Sequence, residues 1–234
     1  MEYGILYLIP SDFGEGSPNL LPASVIGIIN TLNYFVVENE KSARHFLKRI
    51  GYTKSLNELH LFILNEHTDK NEIKKYLDPL FKGINIGILS EAGCPAVADP
   101  GSDIVSIAHD SGIKVKPLVG PSSILLALMA SGFNGQNFIF HGYLPKEKNE
   151  RIKKIQRIES EAINKNQTQI FIETPYRNNH LLKDIIDTCG KNTMLCIASD
   201  ISLSNEFIKS LSINDWKKNL PDLNKRPTVF LIYK

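Results

Sequence analysis

NIGILSEAGCPAVADPGSDIV, residues 85–105, is the stretch whose reading decides the fold. It opens with NIGILS (85–90), a short apolar run without polar alternation, as expected of a strand covered on both faces. It runs into DPGSDIVSIAHDSG (99–112), a helix pattern with Asp99 as its expected N-cap, Pro100 at the first helical position and Gly112 at the close. Between them lie small residues, prolines and glycines, more than a plain turn requires. Strand, loop and helix in this order make the first part of a βαβ unit, and repetition of that order predicts a parallel sheet.

The order does repeat. YGILYLIP (3–10), YFVVEN (34–39), LHLFIL (59–64) and IKVKPLV (113–119) read as strands, and LPASVIGIINTL (21–32), EKSARHFLKRIG (40–51) and DKNEIKKYLDPLFKG (69–83), interrupted near Pro79, read as helices. Residues 1–119 are therefore expected to form an α/β domain with a mainly parallel sheet and helices on both faces. After Gly120 the character changes. PSSILLALMASG (121–132) is a helix apolar on nearly every side, which predicts burial all round, as between two domains. FIFHGYL (138–144), TQIFIE (168–173), NTMLCIAS (192–199), EFIKSLS (206–212) and TVFLIYK (228–234) read as strands, with helices near 147–164 and 176–189. The later strands lack helices between them, so residues 120–234 are expected to form a second α/β domain on a mixed or antiparallel sheet.

The 234 residues, 42% hydrophobic, suffice for one large core or two modest ones. No apolar run nears the ~20 residues that cross a bilayer, and MEYGILYLIP has neither the basic start nor the cleavage site of a signal peptide, so a cytoplasmic protein without a membrane partner is expected. Cys94, Cys189 and Cys196 lack zinc-ligand spacing and read as free thiols, and no metal site is expected. Residues 1–120 carry 11 Lys/Arg against 14 Asp/Glu, and residues 121–234 carry 16 against 11. Much of that excess lies in KEKNERIKKIQR (146–157), which reads either as a solvated helix laced by Glu147–Arg151 and Glu150–Lys154 pairs or as a patch that faces phosphates.

No dinucleotide glycine motif, P-loop, zinc-protease helix or nucleophile elbow occurs, and the histidines are scattered. What remains is a set of loops at strand ends, where open parallel sheets bind ligands: IPSDFGEGSPNLLP (9–22), SEAGCPAVADPG (90–101) and VGPSS (119–123). Gly93, Gly101 and Gly120 permit close approach, while Pro95, Pro100 and Pro121 stiffen the chain. Such loops read either as ordinary connections or as a site that holds its ligand by main chain. The length of 9–22 favours the second.

These segments also resemble a known family. LSEAGCPAVADPGSDIV (89–105), PLVGPSSILLALMASGF (117–133), FIFHGYLPKEKNER (138–151) and IFIETPYRNNHLL (170–182) are similar, in order, to motifs of the tetrapyrrole (corrin/porphyrin) methylase superfamily, nearest to its ribosomal RNA small subunit methyltransferase I branch. The resemblance implies the class III methyltransferase fold, a homodimer, and S-adenosylmethionine held in a cleft between two domains. It implies transfer to a ribose 2′-hydroxyl of 16S ribosomal RNA or the small ribosomal subunit. Carried over by position, the cofactor contacts are Ile9, Pro10, Gly93, Cys94, Pro95, Val97, Ser122, Ser123, Ile172, Glu173, Pro227 and Thr228. Glu38 and Glu173, near strand ends, are the candidate catalytic bases; Lys41, Lys146, Lys148, Arg151 and Arg177 are the candidate substrate contacts. The family's T-P-I-G-N-L, A-E-D-T-R and R-E-L-T-K segments are replaced by IPSDFGEGSPNLLP, VENEKSAR and SDISLSNEF, which bears on the acceptor more than on the cofactor. Methylation of a tetrapyrrole or other small acceptor, and a non-catalytic cofactor-binding role, are the alternative readings.

Overall fold

The computed structural model describes residues 2–14, 20–65, 68–99 and 101–234. The chain divides into two compact units, the first ending at Ser122 and the second starting at Ser123.

In the first unit, β1 (Ile5–Ile9), β2 (Tyr34–Val37), β3 (His60–Ile63), β4 (Ile86–Leu89) and β5 (Lys114–Pro117) form one sheet in the order β3-β2-β4-β1-β5. Every pairing in it is parallel. Side chains alternate between two cores, as the strand period requires. On one face Tyr7, Ile9, Phe35, Val37 and Leu89 meet α1 (Ala23–Thr31) and α2 (Glu40–Arg49) through Val25, Ile29, Phe46 and Leu47. On the other, Leu6, Val36, Ile86 and Ile88 meet Leu77, Leu80, Ile104 and Ala108. Gly87 sits where a Cβ would come within 2.4 Å of Ile9 Cδ1 and 3.1 Å of Phe35 Cδ1, so a bare position leaves room for the ring.

Helix ends follow local chemistry. Asn39 caps α2, its Oδ1 accepting from Lys41 N at 2.9 Å and Ser42 N at 3.2 Å, and Glu40 opens the helix while Lys48 and Arg49 close it, matching the dipole. The helix expected over 69–83 is α3 (Lys70–Ile73), a 3₁₀ turn (Lys74–Leu77) and α4 (Asp78–Phe81). Pro79 lies in the first turn of α4, where its missing N–H leaves no bond unmade, so the irregularity precedes it. The helix after β4, α5 (Ser102–Asp110), starts later than expected: Gly101 is its cap residue and Asp99 makes no cap bond to it. Pro100, expected at the first helical position, lies outside the described residues, as does the middle of the 9–22 loop.

In the second unit β6 (Phe138–Tyr143), β7 (Thr168–Ile172), β8 (Met194–Ser199), β9 (Phe207–Ser212) and β10 (Thr228–Tyr233) form a sheet in the order β6-β7-β10-β8-β9. Only β6 and β7 run parallel; β10 pairs antiparallel with β7 and β8, and β8 with β9. One face buries Phe171, Leu195, Ile197, Phe230 and Ile232 against α7 (Lys148–Lys165), α8 (Asn178–Thr188) and Trp216 of the short α9 (Ile213–Trp216). In α7, Ile155, Ile158 and Ala162 supply the inward stripe, and Asn166 ends the helix in the left-handed region at φ 51°.

The apolar helix α6 (Ser123–Ser131) departs from expectation. Ala127, Leu128 and Ser131 are buried, yet Leu125 is 51% and Met129 78% exposed. It packs on β8, β9 and β10.

Candidate functional site

The carboxyl ends of the first sheet lie in register, with Ile63 beside Val37, Val37 beside Leu89, Leu89 beside Ile9, and Leu8 beside Pro117. From β1 the chain crosses over β4 to reach β2, while from β4 it crosses over β1 to reach β5. These opposed connections make the β1/β4 junction the topological switch point, where such sheets open a crevice.

The loops at that junction are tied together. Ser11 N donates to Gly93 O at 2.9 Å and Gly93 N to Ser11 O at 3.1 Å, and Ser11 Oγ donates to Ser90 O at 2.6 Å. Cys94 Sγ donates to Pro121 O at 3.4 Å, joining the loop after β5. Burial pushes the Cys94 thiol up, so it serves as a donor and filler. Gly93 has φ 74°, and a Cβ at Gly120 would stand 2.1 Å from Pro10 Cγ. Ala96 and Ala98 also occupy the left-handed region, at φ 64° and 58°. Strained alanines of this kind cost about 1 kcal/mol or more each and persist only where the surroundings hold them.

Next to this main-chain cluster stands Glu38, directly after β2. Its carboxyl is pushed up to about 7 by partial burial first, then by a hydrogen bond with Asp99 and by repulsion from Asp99 and Glu91, against a bond to the Glu91 backbone that lowers it. Asp99 Oδ1 accepts from Gly101 N at 3.1 Å, which is why it is a turn residue and a partner of Glu38 in place of a helix cap. Ser42 Oγ donates to Glu91 Oε1 at 2.5 Å. Lys41, a candidate substrate contact, is exposed. In the first loop buried Asp12 bonds Arg49 of α2, and Gly14 N donates to Asp12 Oδ1 at 3.2 Å.

The second unit gathers Ile172, Glu173, Pro227 and Thr228 at one end of its sheet, where Val229 pairs with Ile172. Thr228 Oγ1 donates to Arg226 O at 2.9 Å, and Asp200 N donates to Pro227 O at 2.9 Å. Arg226 Nε donates to Asp200 Oδ2 at 2.5 Å and Nη2 to Asn205 O at 2.7 Å. Asn178, fully buried, donates from Nδ2 to Arg226 O at 2.6 Å, and its Oδ1 is the one buried side-chain polar atom without a partner among the described residues.

Three expected roles change. Glu173 is buried, accepts from Thr174 N at 2.7 Å and pairs with Arg177, so both carboxylate oxygens are engaged and it is a poor base. The Arg177 guanidinium is correspondingly bonded to Glu173. Arg151 is no surface contact: it is buried, bonds Asp184 of α8 at 2.7 Å, and donates to Pro145 O at 3.2 Å and Lys146 O at 2.6 Å. The expected Glu147–Arg151 pair gives way to this one because a guanidinium facing the core needs a carboxylate there. The i,i+4 pairs of α7 are Arg157–Glu161 and Lys165–Glu161. Lys146 and Lys148 are exposed.

Ser11, Ser90, Asp99 and Arg226 were not singled out by sequence reasoning for these roles. Ser11 and Ser90 carried a signal, since each stands within two positions of a strand's carboxyl end; Asp99 and Arg226 act through partners remote in sequence. Among the described residues no helix is long and apolar enough to cross a membrane.

The pattern of the family described as Tetrapyrrole (Corrin/Porphyrin) Methylases matches residues 7–215. The chain is 26% identical over 232 residues to the ribosomal RNA small subunit methyltransferase I of Vibrio cholerae, covering 98% of this chain and 77% of that one. It is 34% identical over 164 residues to the Thermotoga maritima protein of the same name, covering 69% and 72%. Among solved structures, the methyltransferase CobJ superposes with a TM-score of 0.65 at 15% identity, over 100% of this chain and 95% of that one. The cobalamin biosynthetic enzyme cobalt precorrin-4 methyltransferase gives 0.61 at 13%, over 98% and 94%. Matching sequence over most of its length, and matching fold over all of it, the chain belongs to the tetrapyrrole (corrin/porphyrin) methylase family and is an S-adenosylmethionine-dependent methyltransferase.

Proposed function

We propose that this enzyme methylates a ribose 2′-hydroxyl of 16S ribosomal RNA in the small ribosomal subunit, with Glu38 as the proton acceptor. The observation that carries the reading is the switch-point cluster of bare main chain, Ser11, Gly93, Ala96, Ala98 and Gly120, with a half-buried carboxyl beside it. The donor set suits S-adenosylmethionine. That molecule has no phosphate, and the loops contain no phosphate-cradling glycine motif; it has an adenine, a ribose and a zwitterionic tail, which amides, carbonyls and small side chains hold. Ile9, Pro10, Gly93, Cys94, Pro95, Val97 and Ser122 are the proposed contacts from the first unit. Ser123, Ile172, Pro227 and Thr228 are those from the second, with Glu173 as a brace for the loop after β7.

When bound, S-adenosylmethionine supplies a methyl group already activated by positive sulfur. The protein's task is then alignment, worth up to ~7–11 kcal/mol in the best cases, and removal of one proton. Glu38 is the proposed acceptor: near neutral pH its carboxyl is partly ionised, and it is hydrogen-bonded to Asp99. Glu173 is held in the pair with Arg177.

The ribosomal acceptor is supported by the names of the relatives and by the exposed Lys146 and Lys148 in the basic half of the chain. A homodimer belongs to the same proposal, supported by the exposed apolar Leu125 and Met129 on α6. The deciding experiment supplies methyl-labelled S-adenosylmethionine to small ribosomal subunits from cells lacking this protein, with a tetrapyrrole acceptor in parallel. Label is expected in RNA, in a dinucleotide that resists alkali because its 2′-oxygen is blocked. Label in the tetrapyrrole, or in alkali-labile RNA, overturns the reading.

A further inference from the structure

Two large aromatic side chains stand out at one end of the second sheet: Tyr143 is 57% and Tyr176 71% exposed. They belong together. Tyr143 ends β6 and pairs in register with Ile172, the last residue of the parallel strand β7, and Tyr176 follows Ile172 by one short turn. Strands so paired lie about 4.8 Å apart, so Tyr143 and the turn carrying Tyr176 lie side by side at the same sheet end. The register of β6 shifts between Phe140 and Tyr143, with Gly142 at φ 65°, the kind of irregularity that re-aims a side chain on an edge strand.

Neither loop is slack. Arg151, fixed by Asp184, donates to the carbonyls of Pro145 and Lys146 and so pins the segment directly after Tyr143. Glu173 bonds Thr174 N and Arg177; Arg177 N donates to Thr174 O at 2.9 Å; Lys225 N donates to Pro175 O at 3.1 Å. Those bonds bracket Tyr176 on both sides. A buried ion pair and a second one with a half-buried arginine thus hold a pair of exposed rings, with the exposed Lys146 and Lys148 in the adjoining segment.

We propose that Tyr143 and Tyr176 form a stacking platform for unpaired nucleotides of the RNA acceptor, with Lys146 and Lys148 on its phosphates. The proposal rests on the ribosomal RNA reading and narrows it to a single-stranded or looped acceptor. An aromatic face accepts any splayed base, while bases in a helix already stack on one another. Rigid rings beside lysines also present large contact area at low ordering cost.

The test measures binding of a fluorescent oligouridylate and of a blunt RNA duplex of equal length to the whole protein over a range of salt. Tyr176→Ala and Tyr143→Ala are expected to weaken oligouridylate binding roughly tenfold to a hundredfold, with little effect on the duplex. Tyr→Phe at each position is expected to restore it, separating stacking from loss of fold. Lys146→Ala and Lys148→Ala are each expected to reduce the salt slope by about 0.7. Undetectable wild-type binding of oligouridylate, equal affinity of the alanine variants, or equal loss on the duplex overturns the platform. So does a change of oligomeric state in Tyr143→Ala, which would make that ring a contact with a second copy. Tyrosine-dependent binding without methyl transfer to RNA would leave the platform standing and overturn the functional reading; transfer without tyrosine-dependent binding would do the reverse.

Discussion

A methyl group added at Gly120 would stand 2.1 Å from Pro10 Cγ and 2.5 Å from Pro10 Cβ. The obstacle is a proline ring, which cannot rotate away. Gly120→Ala is therefore expected to lower stability by about 1–3 kcal/mol and to weaken S-adenosylmethionine binding with it, measured by urea unfolding and by calorimetry; wild-type values in both would show that the two loops separate at no cost. Glu38 invites a pH experiment. Its folded carboxyl sits at about 7 against an ordinary 4.5, so between those values the native state holds more protons than the unfolded one. Stability contributed by this group is full below 4.5, falls as pH rises toward 7, and stays reduced above it. Glu38→Gln should leave stability unchanged in acid and raise it above neutrality by about 1 kcal/mol once solvent screening is allowed for. Turnover of the wild type should climb with pH through the same range. The glutamine variant should lose roughly 10²–10⁴-fold in turnover with near-normal cofactor affinity. Undiminished turnover would remove Glu38 from the reaction. The position of Glu38 was legible in the sequence, since it follows a strand. Its partner was not: Asp99 looked like a helix cap because it precedes Pro100, and only folding brings it to the end of β2.

At the scale of elements, α7 shows what patterning reveals and what it hides. The inward stripe of Ile155, Ile158 and Ala162 follows helical spacing, and the run of charges around it reads as a solvated face. Arg151 belongs to the stripe nonetheless, because Asp184 on α8 meets it in the core. A buried pair that loses one partner leaves an uncompensated charge, so Arg151→Ala is expected to cost about 3–5 kcal/mol, read as a lower thermal midpoint. It should also loosen the Pro145–Lys146 segment in hydrogen exchange. A midpoint within a degree or so of wild type would mean that Asp184 finds water instead.

At the scale of the whole molecule the matter is assembly. Leu125 and Met129 leave an apolar strip on α6, of the kind that a second copy covers in a dimer. Sedimentation of the wild type is expected to give a dimer, and Leu125→Glu with Met129→Glu is expected to shift it to monomer while circular dichroism stays unchanged. A monomeric wild type at micromolar concentration would end that part of the proposal.

The sequence by itself determined the order of the strands and main helices, the switch from parallel to mixed sheet and the loops at the strand ends, because hydrophobic period, glycine, proline and cap residues act within a few positions of themselves. It also determined family membership, through motifs repeated in order. Only the tertiary structure decided which charges are partnered and which apolar side chains are exposed. Asp99 with Glu38, Arg151 with Asp184, Arg226 with Asp200 and the exposure of Met129 on α6 all depend on residues far apart in the chain. The strength of a charge or an apolar side chain is set by what folding places beside it, and local sequence does not carry that information.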